Sequence, residues 1–385
     1  MDSQEGTCCD ATNATSLAVA VNNLGFQLGK LLAKEDANVF ISPLSISSAL
    51  AMAFCGARNE TAQEMRQVLG YEIASIKNEE VKHCFLHLLS EMEQIKDSCT
   101  LTSANIVFSQ DGFPLTEDFV QLLEDSFKAM TLNVDFLNES DKAVQQANNW
   151  VNEKTNGMIS NLLDSLDPAT VMVILNAVYF KGVWMLQFDQ EDTYEQDFYN
   201  NGLEVNAKRV EMMHLKKSFL YTENKSFSAI QLPYVGEEIV MSIFLPKARD
   251  GLDKLMTDVS TDFLQAVKSK MRKVKVEVAL PKFRLEYSKS LKELFQTLGI
   301  NRAFSTSANF EGISKAQGLL ISDIIHKAVV IVNEEGTEAA AATAVVMVKR
   351  CLSMDPQFIA DHPFFFLIYN LKTDMTLFMG KVNEL

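Results

Sequence analysis

The chain has 385 residues, of which 47% are hydrophobic and 22% are charged, and this composition excludes a disordered chain and indicates a large core. Its 35 basic and 50 acidic residues give a net charge of -15, which excludes nucleic acid as the main partner because polyanions are repelled on average. No apolar run reaches the length of a membrane span, so we expect no membrane partner.

Helix and strand signals follow each other along the chain without strict alternation. Helical periodicity begins at Ser16, and Ser42 followed by Pro43 is typical of a helix start. Thr61 and Glu64 have the spacing of a capping box. Early helices followed by mixed helices and long strands predict one α+β domain. The predicted helices are 16–32, 43–53, 61–69, 79–95, 116–128, 142–157, 252–270 and 288–298, and the predicted strands are 100–109, 170–180, 227–233, 238–245, 275–285, 319–332, 363–370 and 376–382.

The basic run from Lys268 to Lys275, KSKMRKVK, stands out in a chain with a negative net charge. It lies where a predicted helix gives way to a predicted strand. We interpret it as a solvated face of that turn, because a run of charges is usually exposed to water.

The most informative segment runs from Asn333 to Arg350 and reads NEEGTEAAAATAVVMVKR. Two structures are open for it, because alanine is the best helix former whereas a period of two places alternate residues on one face of a strand. One alternate set carries no charge and no proline, so it could enter the middle of a sheet. That set is Thr337, Ala339, Ala341, Thr343, Val345 and Met347, and the interleaved set begins with Glu338.

Motifs for catalysis or cofactor binding are missing from the sequence. There is no G-x-S-x-G elbow, no glycine-rich phosphate loop, no H-E-x-x-H and no C-x-x-C. His83 and His87 are spaced for one metal ion on a helix, but no third ligand is near, so we interpret them as a surface pair. We therefore predict that the protein is not an enzyme and uses no metal or cofactor.

Four polar residues lie in otherwise apolar segments. His326 is in the run LLISDIIHKAVVIV, where a histidine needs a buried hydrogen-bond partner. Ser42, Ser45 and Asn176 could join it in one cluster. No acid is placed to orient the imidazole, so we expect such a cluster to be structural or a switch, and not a catalytic triad.

Five segments carry a further signal: NVFISPLSISSALAMAFCGARNETAQEM at 38–65, LNAVYFKGVW at 175–184, LPKF at 280–283, HKAVVIVNEEGTEAAAAT at 326–343 and DHPFFFLI at 361–368. In sequence and in order they resemble the serpin family of serine protease inhibitors. The likeness extends from about Ser16 to the C-terminus and implies three β-sheets, about nine helices and a monomer. It also implies a single domain over 16–385, with an N-terminal extension over 1–15 and an exposed reactive-centre loop over about 334–356.

The resemblance implies inhibition by a suicide mechanism. A protease cuts the loop, forms an acyl-enzyme and is carried across the molecule when the loop inserts into the main sheet. The native state is then metastable. Residues 336–350 span about 50 Å when extended, which is enough for this movement. The implied hinge, in which small residues let insertion begin, is Gly336, Thr337, Glu338, Ala339, Ala340, Ala341, Ala342 and Thr343.

The resemblance also assigns roles to buried positions of the main sheet. Trp184 resembles the breach residue, where the loop first enters the sheet. Lys282 and Glu334 occupy positions that form an ion pair at the top of the sheet. The shutter cluster, beneath the point where the sheet opens, is implied to be Ser42, Ser45, Asn176 and His326.

Family spacing places the scissile bond between Arg350 and Cys351. Lys349 and Arg350 indicate a trypsin-like serine protease or a dibasic-cleaving, subtilisin-like proprotein convertase as the covalent partner, since a protease carboxylate pairs well with a guanidinium group. Convertases also favour a basic residue four positions before the cut, where Met347 stands. The thiol of Cys351 follows a cation, and we expect it to be prone to oxidation.

Two questions stay open at the level of sequence. A non-inhibitory serpin with a carrier, chaperone or storage role is the alternative function, although the small hinge residues favour inhibition. The compartment is either cytoplasmic, because the chain as written has no signal peptide, or secreted or ER-luminal. The second is favoured by the ending Val-Asn-Glu-Leu, by an extension longer than intracellular relatives carry, and by glycosylation sequons at Asn13, Asn59, Asn138 and Asn224.

Overall fold

Nine α-helices and fifteen β-strands form in residues 5–94, 99–337 and 355–385, the part of the chain that the computed structural model describes. The first helix begins well before Ser16, within the stretch predicted as an extension. The helices are α1 Glu5–Leu32, α2 Pro43–Gly56, α3 Asn59–Val68, α4 Val81–Gln94, α5 Glu117–Phe127, α6 Phe136–Lys154, α7 Leu252–Asp258, α8 Thr261–Lys270 and α9 Lys292–Leu298.

A six-stranded sheet contains the predicted insertion region. Five of its strands lie side by side in the order β10-β11-β4-β2-β3, and the short sixth strand, β12, pairs with β4. Strands β4 and β11 run parallel to each other, and β2 and β10 flank them antiparallel. The strands are β2 Cys99–Gln110, β3 Met130–Val134, β4 Met172–Val183, β10 Phe283–Ser290, β11 Asp323–Val332 and β12 Gly336–Thr337.

The other nine strands form one continuous ladder, and the long strand β6 connects its two parts. Residues 207–213 of β6 pair with β5, residues 220–223 pair with β7, and residues 212–221 pair with β9. With the six-stranded sheet this gives the three strand sets that were expected. The strands are β1 Val39–Ile41, β5 Thr193–Tyr199, β6 Ala207–Glu223, β7 Phe227–Pro233, β8 Ile239–Pro246, β9 Arg272–Pro281, β13 Gln357–Ile359, β14 Phe364–Asn370 and β15 Thr376–Val382.

Helix α2 passes through the core beneath the six-stranded sheet. Its predicted start is confirmed, because Ser42 is the N-cap, its hydroxyl accepts the N–H of Ser45, and Pro43 is the first helical residue. All of its residues except Cys55 are buried, and it packs against α1, β4 and β15. This position brings Ser42 and Ser45 under the middle of the sheet.

The predicted capping box at Thr61 is wrong. Helix α3 begins at Asn59, so that Thr61 lies inside it and its hydroxyl accepts the N–H of Asn309. The carboxylate of Glu64 accepts the N–H groups of Asn301 and Arg302. Both side chains therefore fasten the segment after α9, because a tertiary contact has replaced the local one.

Four other predicted elements differ from the structure. The helix predicted over 252–270 is two helices, because Val259 is extended and Ser260 caps α8 by accepting the N–H of Phe263. The strand predicted over 275–285 is β9 and β10, separated at Lys282. Helix α6 begins at Phe136 and not at 142, and α9 begins at Lys292 and not at 288. Strands β1, β3, β5, β6 and β13 were not predicted.

Strand β4 separates two cores. Its residues Met172, Ile174, Val178 and Phe180 pack into the main core, on the side of α2. The alternate residues, Val173, Leu175, Ala177 and Tyr179, pack into a smaller core together with buried residues of α6. A strand placed beside β4 would therefore have to be apolar on both faces.

Candidate functional site

The candidate site is the seam between β4 and β11, at the centre of the six-stranded sheet. The two parallel strands pair as far as Val330 opposite Phe180. Beyond that point β12 pairs antiparallel with β4, with Gly336 opposite Val183, while β2 occupies the other edge of β4. A strand that continued β12 down the seam would be antiparallel to both of its neighbours.

The turn that joins β11 to β12 is held by Trp184. Its indole Nε1 donates to the carbonyl oxygen of Asn333 at 3.0 Å, and its N–H donates to the carbonyl of Glu335 at 2.8 Å. The buried indole stacks on Tyr234, with 4.5 Å between the ring centroids. Trp184 therefore lies at the point where the loop leaves β11 and meets β4.

Gly336 is required by the close approach of β12 to β4. Its φ is +146°, a conformation that residues with a side chain rarely adopt. A Cβ atom at this position would lie 2.1 Å from the carbonyl oxygen of Gly182. Its N–H donates to the side-chain oxygen of Asn333 at 3.2 Å.

An ion pair closes the top of the seam from outside. Lys282 Nζ lies 3.2 Å from Glu334 and 3.4 Å from Glu211. Partial burial disfavours the charged ammonium, but the hydrogen bonds and charges of Glu334 and Glu211 outweigh this and raise the pKa of Lys282. The side chain of Glu334 is 7% exposed and that of Glu211 is 61% exposed, so Glu334 is the buried partner.

A buried polar cluster crosses the seam lower down. His326 of β11 lies directly opposite Asn176 of β4, and its Nδ1 is 2.6 Å from the Asn176 side-chain oxygen. Its Nε2 accepts the N–H of Ser42 at 3.2 Å. These partners require a neutral imidazole with its proton on Nδ1, which donates to Asn176. The hydrogen bond between His326 and Asn176 therefore joins the two strands of the seam.

Ser45 and two residues of β2 complete the cluster. The Asn176 amide nitrogen donates to Ser45 Oγ and to Asn105 Oδ1, both at 2.6 Å, and Ser45 Oγ is 3.0 Å from Ser103 Oγ. Sequence reasoning brought together the four predicted members but missed Ser103 and Asn105. The sequence did contain a signal for Asn105, because it is a polar residue in the apolar half of a predicted strand.

Burial lowers the pKa of His326 to about 3. The imidazole is therefore neutral at physiological pH. In the described part of the chain its ring nitrogens bond to Ser42 and Asn176 and to no carboxylate. The cluster can hold strands together, but it lacks the acid that a catalytic triad needs.

Other reactive groups are dispersed among the described residues. In that part of the chain no group of three or more His, Cys, Asp or Glu side chains is placed to hold a metal ion. Burial raises the pKa of Cys55 and Cys99 to about 12 and that of Cys84 to about 11, so these are thiols and not thiolate nucleophiles. His87 lies 3.7 Å from Glu91. None of the described helices is long and apolar enough to span a membrane.

Most of the predicted reactive-centre loop lies outside the described residues. The structure includes Gly336 and the backbone of Thr337 at its start, and it describes the chain again from Asp355, which lies 3.1 Å from Lys216. The predicted residues outside the described ranges are Glu338, Ala339, Ala340, Ala341, Ala342, Thr343, Met347, Lys349, Arg350 and Cys351.

Comparison with known proteins identifies the family. The family model described as "Serpin (serine protease inhibitor)" matches residues 19–385. The chain belongs to the serpin family. This serpin is 39% identical to Iripin-2 of Ixodes ricinus, with 98% of this chain and 96% of the relative covered. It is 37% identical to intracellular coagulation inhibitor 2 of Tachypleus tridentatus, with 96% and 91% covered.

A solved structure confirms the fold. Human thyroxine-binding globulin superposes with a TM-score of 0.89 at 27% identity, covering 97% of this chain and 99% of that one. The predicted serpin resemblance and α+β serpin fold are therefore confirmed. The family is described as serine protease inhibitors and one relative is named a coagulation inhibitor, so the expected partners of this serpin are proteases and its expected role is that of an inhibitor and not of an enzyme.

Proposed function

We propose that this serpin inhibits serine endopeptidases as a suicide substrate. The protease serine attacks the carbonyl carbon of Arg350, the amine of Cys351 leaves, and residues 336–348 enter the seam before water can cleave the acyl ester. The observation that supports this proposal is the pairing of β12. Its residues Gly336 and Thr337, the first two of the inserting segment, already pair with β4 on the edge that faces β11. Insertion extends a pairing that has begun.

The register of β12 assigns a partner to each inserted residue. Gly336 lies opposite Val183, so every further loop residue pairs one position earlier in β4. By this count Thr343 falls opposite Asn176. Directly opposed residues share a face of the sheet, so the uncharged alternate set enters the main core and the alanines meet little steric resistance. That set is Thr337, Ala339, Ala341, Thr343, Val345 and Met347.

Thr343 has a specific role in this proposal. A strand that enters the seam must break the hydrogen bond between His326 and Asn176, and it would leave both groups buried without partners at a cost of about 1–3 kcal/mol each. The hydroxyl of Thr343 would lie between them and can donate and accept at once. It restores the connection across the seam after insertion.

Insertion also increases the number of hydrogen bonds between strands of the sheet. The native seam is a parallel pair, and an inserted strand replaces it by two antiparallel pairs. The gain in strand hydrogen bonds supplies the free energy that carries the attached protease to the other end of the molecule. Trp184, Lys282 and Glu334 would control the entrance to the seam.

The bait residues point to the class of target. Lys349 and Arg350 fit a trypsin-like protease or a dibasic-cleaving convertase, because a buried carboxylate in the protease cleft pairs well with the planar guanidinium of Arg350. Met347 stands where convertases favour a base, so trypsin-like targets are expected to react at least as fast. A carrier role is the alternative, since the structural neighbour thyroxine-binding globulin was solved in complex with its hormone.

The test is a covalent complex on denaturing gels. We expect the unaltered protein to form an SDS-stable complex with trypsin or with a furin-like protease. Cleavage of the loop without a complex would favour the non-inhibitory alternative. Arg350→Ala should abolish the complex with trypsin while leaving the native fold unchanged.

A hinge variant tests insertion separately from recognition. Thr337→Arg places a long cation on the core face of the inserting strand, so we expect the protease to cut the variant and escape, with the loss of most complex. Val205→Arg is the matched control, because Val205 is 91% exposed and lies outside the seam. Normal trapping by Thr337→Arg would contradict insertion.

A further inference from the structure

The basic run over 268–275 has no role in the insertion mechanism. Lys268 is neutralised by Asp374 at 2.6 Å. The other four cations are exposed at the junction of α8 and β9 and are called here the basic corner. The basic corner is Lys270, Arg272, Lys273 and Lys275.

The charges of the basic corner are not compensated by the strand beside it. The β6 residues opposite Arg272, Lys273 and Lys275 are Tyr221, Leu220 and Ser218, which are all uncharged at neutral pH. Within the described ranges no ion pair involves any of the four cations. The nearest acid along β9 is Glu277. A locally positive surface therefore exists on a protein whose net charge is -15.

The basic corner lies on the side of β9 where the described chain resumes at Asp355. Strand β13 runs parallel to β9, with Gln357 opposite Glu277, so residues 355 and 356 lie toward the end of β9 that carries Lys273 and Lys275. Lys216 fixes Asp355 on this side at 3.1 Å. Lys275 is about 7 Å from Glu277 along the strand.

The reactive bond is within reach of this surface. Asp355 is five positions after Arg350, so Arg350 lies no more than about 18 Å from the Asp355 anchor. A globular protease is wider than this distance, so its surface can reach the basic corner while its active site holds Arg350.

We propose that the basic corner is a second contact surface for the target protease and meets an acidic region beside the protease cleft. This inference rests on the proposed function. A protease that cuts after Arg350 carries a carboxylate for its guanidinium group, and an acidic region that contacts the basic corner would continue that charge complementarity outside the cleft. Charges at the rim of an interface act mainly on the association rate.

The experiment compares association rates of charge-reversed variants. In Lys273→Glu/Lys275→Glu both substitutions lie on the solvent-facing side of β9. The control Lys217→Glu/Lys30→Glu has the same net charge, because Lys217 is exposed opposite Val276 on the other face of the ladder and Lys30 is exposed in α1. Each protein is reacted with a furin-like protease and with trypsin at about 50 and 300 mM salt.

We expect the double variant to associate about tenfold more slowly than the unaltered protein at low salt with at least one protease, and about twofold more slowly at high salt. The control should stay within about twofold. The fraction of protease trapped per cleavage should not change, because insertion is untouched. Thermal unfolding curves verify that the exposed substitutions preserve the fold.

Several results would overturn the inference. An unchanged association rate contradicts it, even if a sulfated polysaccharide no longer binds the variant, since that would make the surface a polyanion site. Self-association with an unchanged rate would mean that the lysines only protect the part of the β9 edge, before Glu277, that no described strand pairs. Absence of any covalent complex with the unaltered protein overturns the proposed function as well, whereas a normal complex with an unchanged rate overturns this inference alone.

Discussion

The seam between β4 and β11 is closed in two different ways at its top and at its centre. At the top, Lys282 and Glu334 form a partly exposed ion pair beside the buried indole of Trp184. At the centre, the neutral His326 and Asn176 share a buried hydrogen bond that crosses the seam. The upper closure is electrostatic and accessible to salt, and the central closure is buried and uncharged.

The difference indicates an order of opening. A partly exposed ion pair is weakened by water and salt, whereas a buried polar group that loses its partner costs its full desolvation. In the proposed mechanism the top of the seam therefore opens first, and the centre opens only when an inserting strand supplies replacement partners. In the proposed mechanism Thr343 reaches Asn176 after the small residues have entered, which fits this order.

Removing Asn176 should have the largest effect on native stability. Asn176→Ala leaves the His326 N–H and the side-chain oxygens of Ser45 and Asn105 without their shared partner, so we expect a loss of about 3 kcal/mol. The measurement is the midpoint of urea unfolding. The control Asn206→Ala is exposed and should change stability by less than about 0.5 kcal/mol. Equal effects would mean that the cluster does not hold the seam.

The pH dependence of stability tests the neutral state of His326. Its pKa is about 3 in the folded protein and about 6.5 when unfolded, so below pH 6.5 the unfolded state binds a proton that the folded state does not. The contribution of His326 to the free energy of unfolding is fully present above pH 6.5 and is lost as the pH falls toward 3. From pH 7 to pH 5 the expected loss is about 2 kcal/mol.

His326→Gln provides the matched comparison for that measurement. Glutamine can donate to Asn176 and accept from Ser42 without titrating. Partial burial also lowers the pKa of His214, but this residue is present in both proteins, so the difference between them isolates His326. The same pH dependence in both proteins would contradict a neutral, buried His326.

Much of the central closure could be predicted from local sequence. Ser42 before Pro43 identified the start of α2, and polar residues in apolar runs identified Ser45, Asn176 and His326 as a group. These signals are local or depend on burial alone. Ser103 and Asn105 were missed because their part in the cluster depends on the pairing of β2 with β4, and strand pairing is set by tertiary contacts.

The prediction from sequence failed for elements in which tertiary contacts override the local sequence pattern. Thr61 and Glu64 match a capping box but bind the segment after α9, which no local rule includes. Strand β6 was missed because its two halves pair with different strands and its burial does not alternate strictly. The ion pair between Lys282 and Glu334 was predicted only from the family resemblance. Its formation depends on the ends of β9, β10 and β11 lying close together, which no local pattern indicates.

The upper closure is expected to contribute less than the centre. Lys282→Met removes the partner of Glu334 and should lower stability by about 1–2 kcal/mol, a reduced value because the lysine side chain is 30% exposed. Glu211→Gln is the matched control on the same lysine, and its exposed carboxylate should contribute less than about 0.5 kcal/mol. The difference in urea midpoint between the unaltered protein and Lys282→Met should be smaller at about 500 mM salt than at about 50 mM, because salt screens the ion pair. If Lys282→Met and Glu211→Gln are equally stable, or if salt leaves that difference unchanged, the top of the seam is not closed by charge and the contrast with the neutral centre fails.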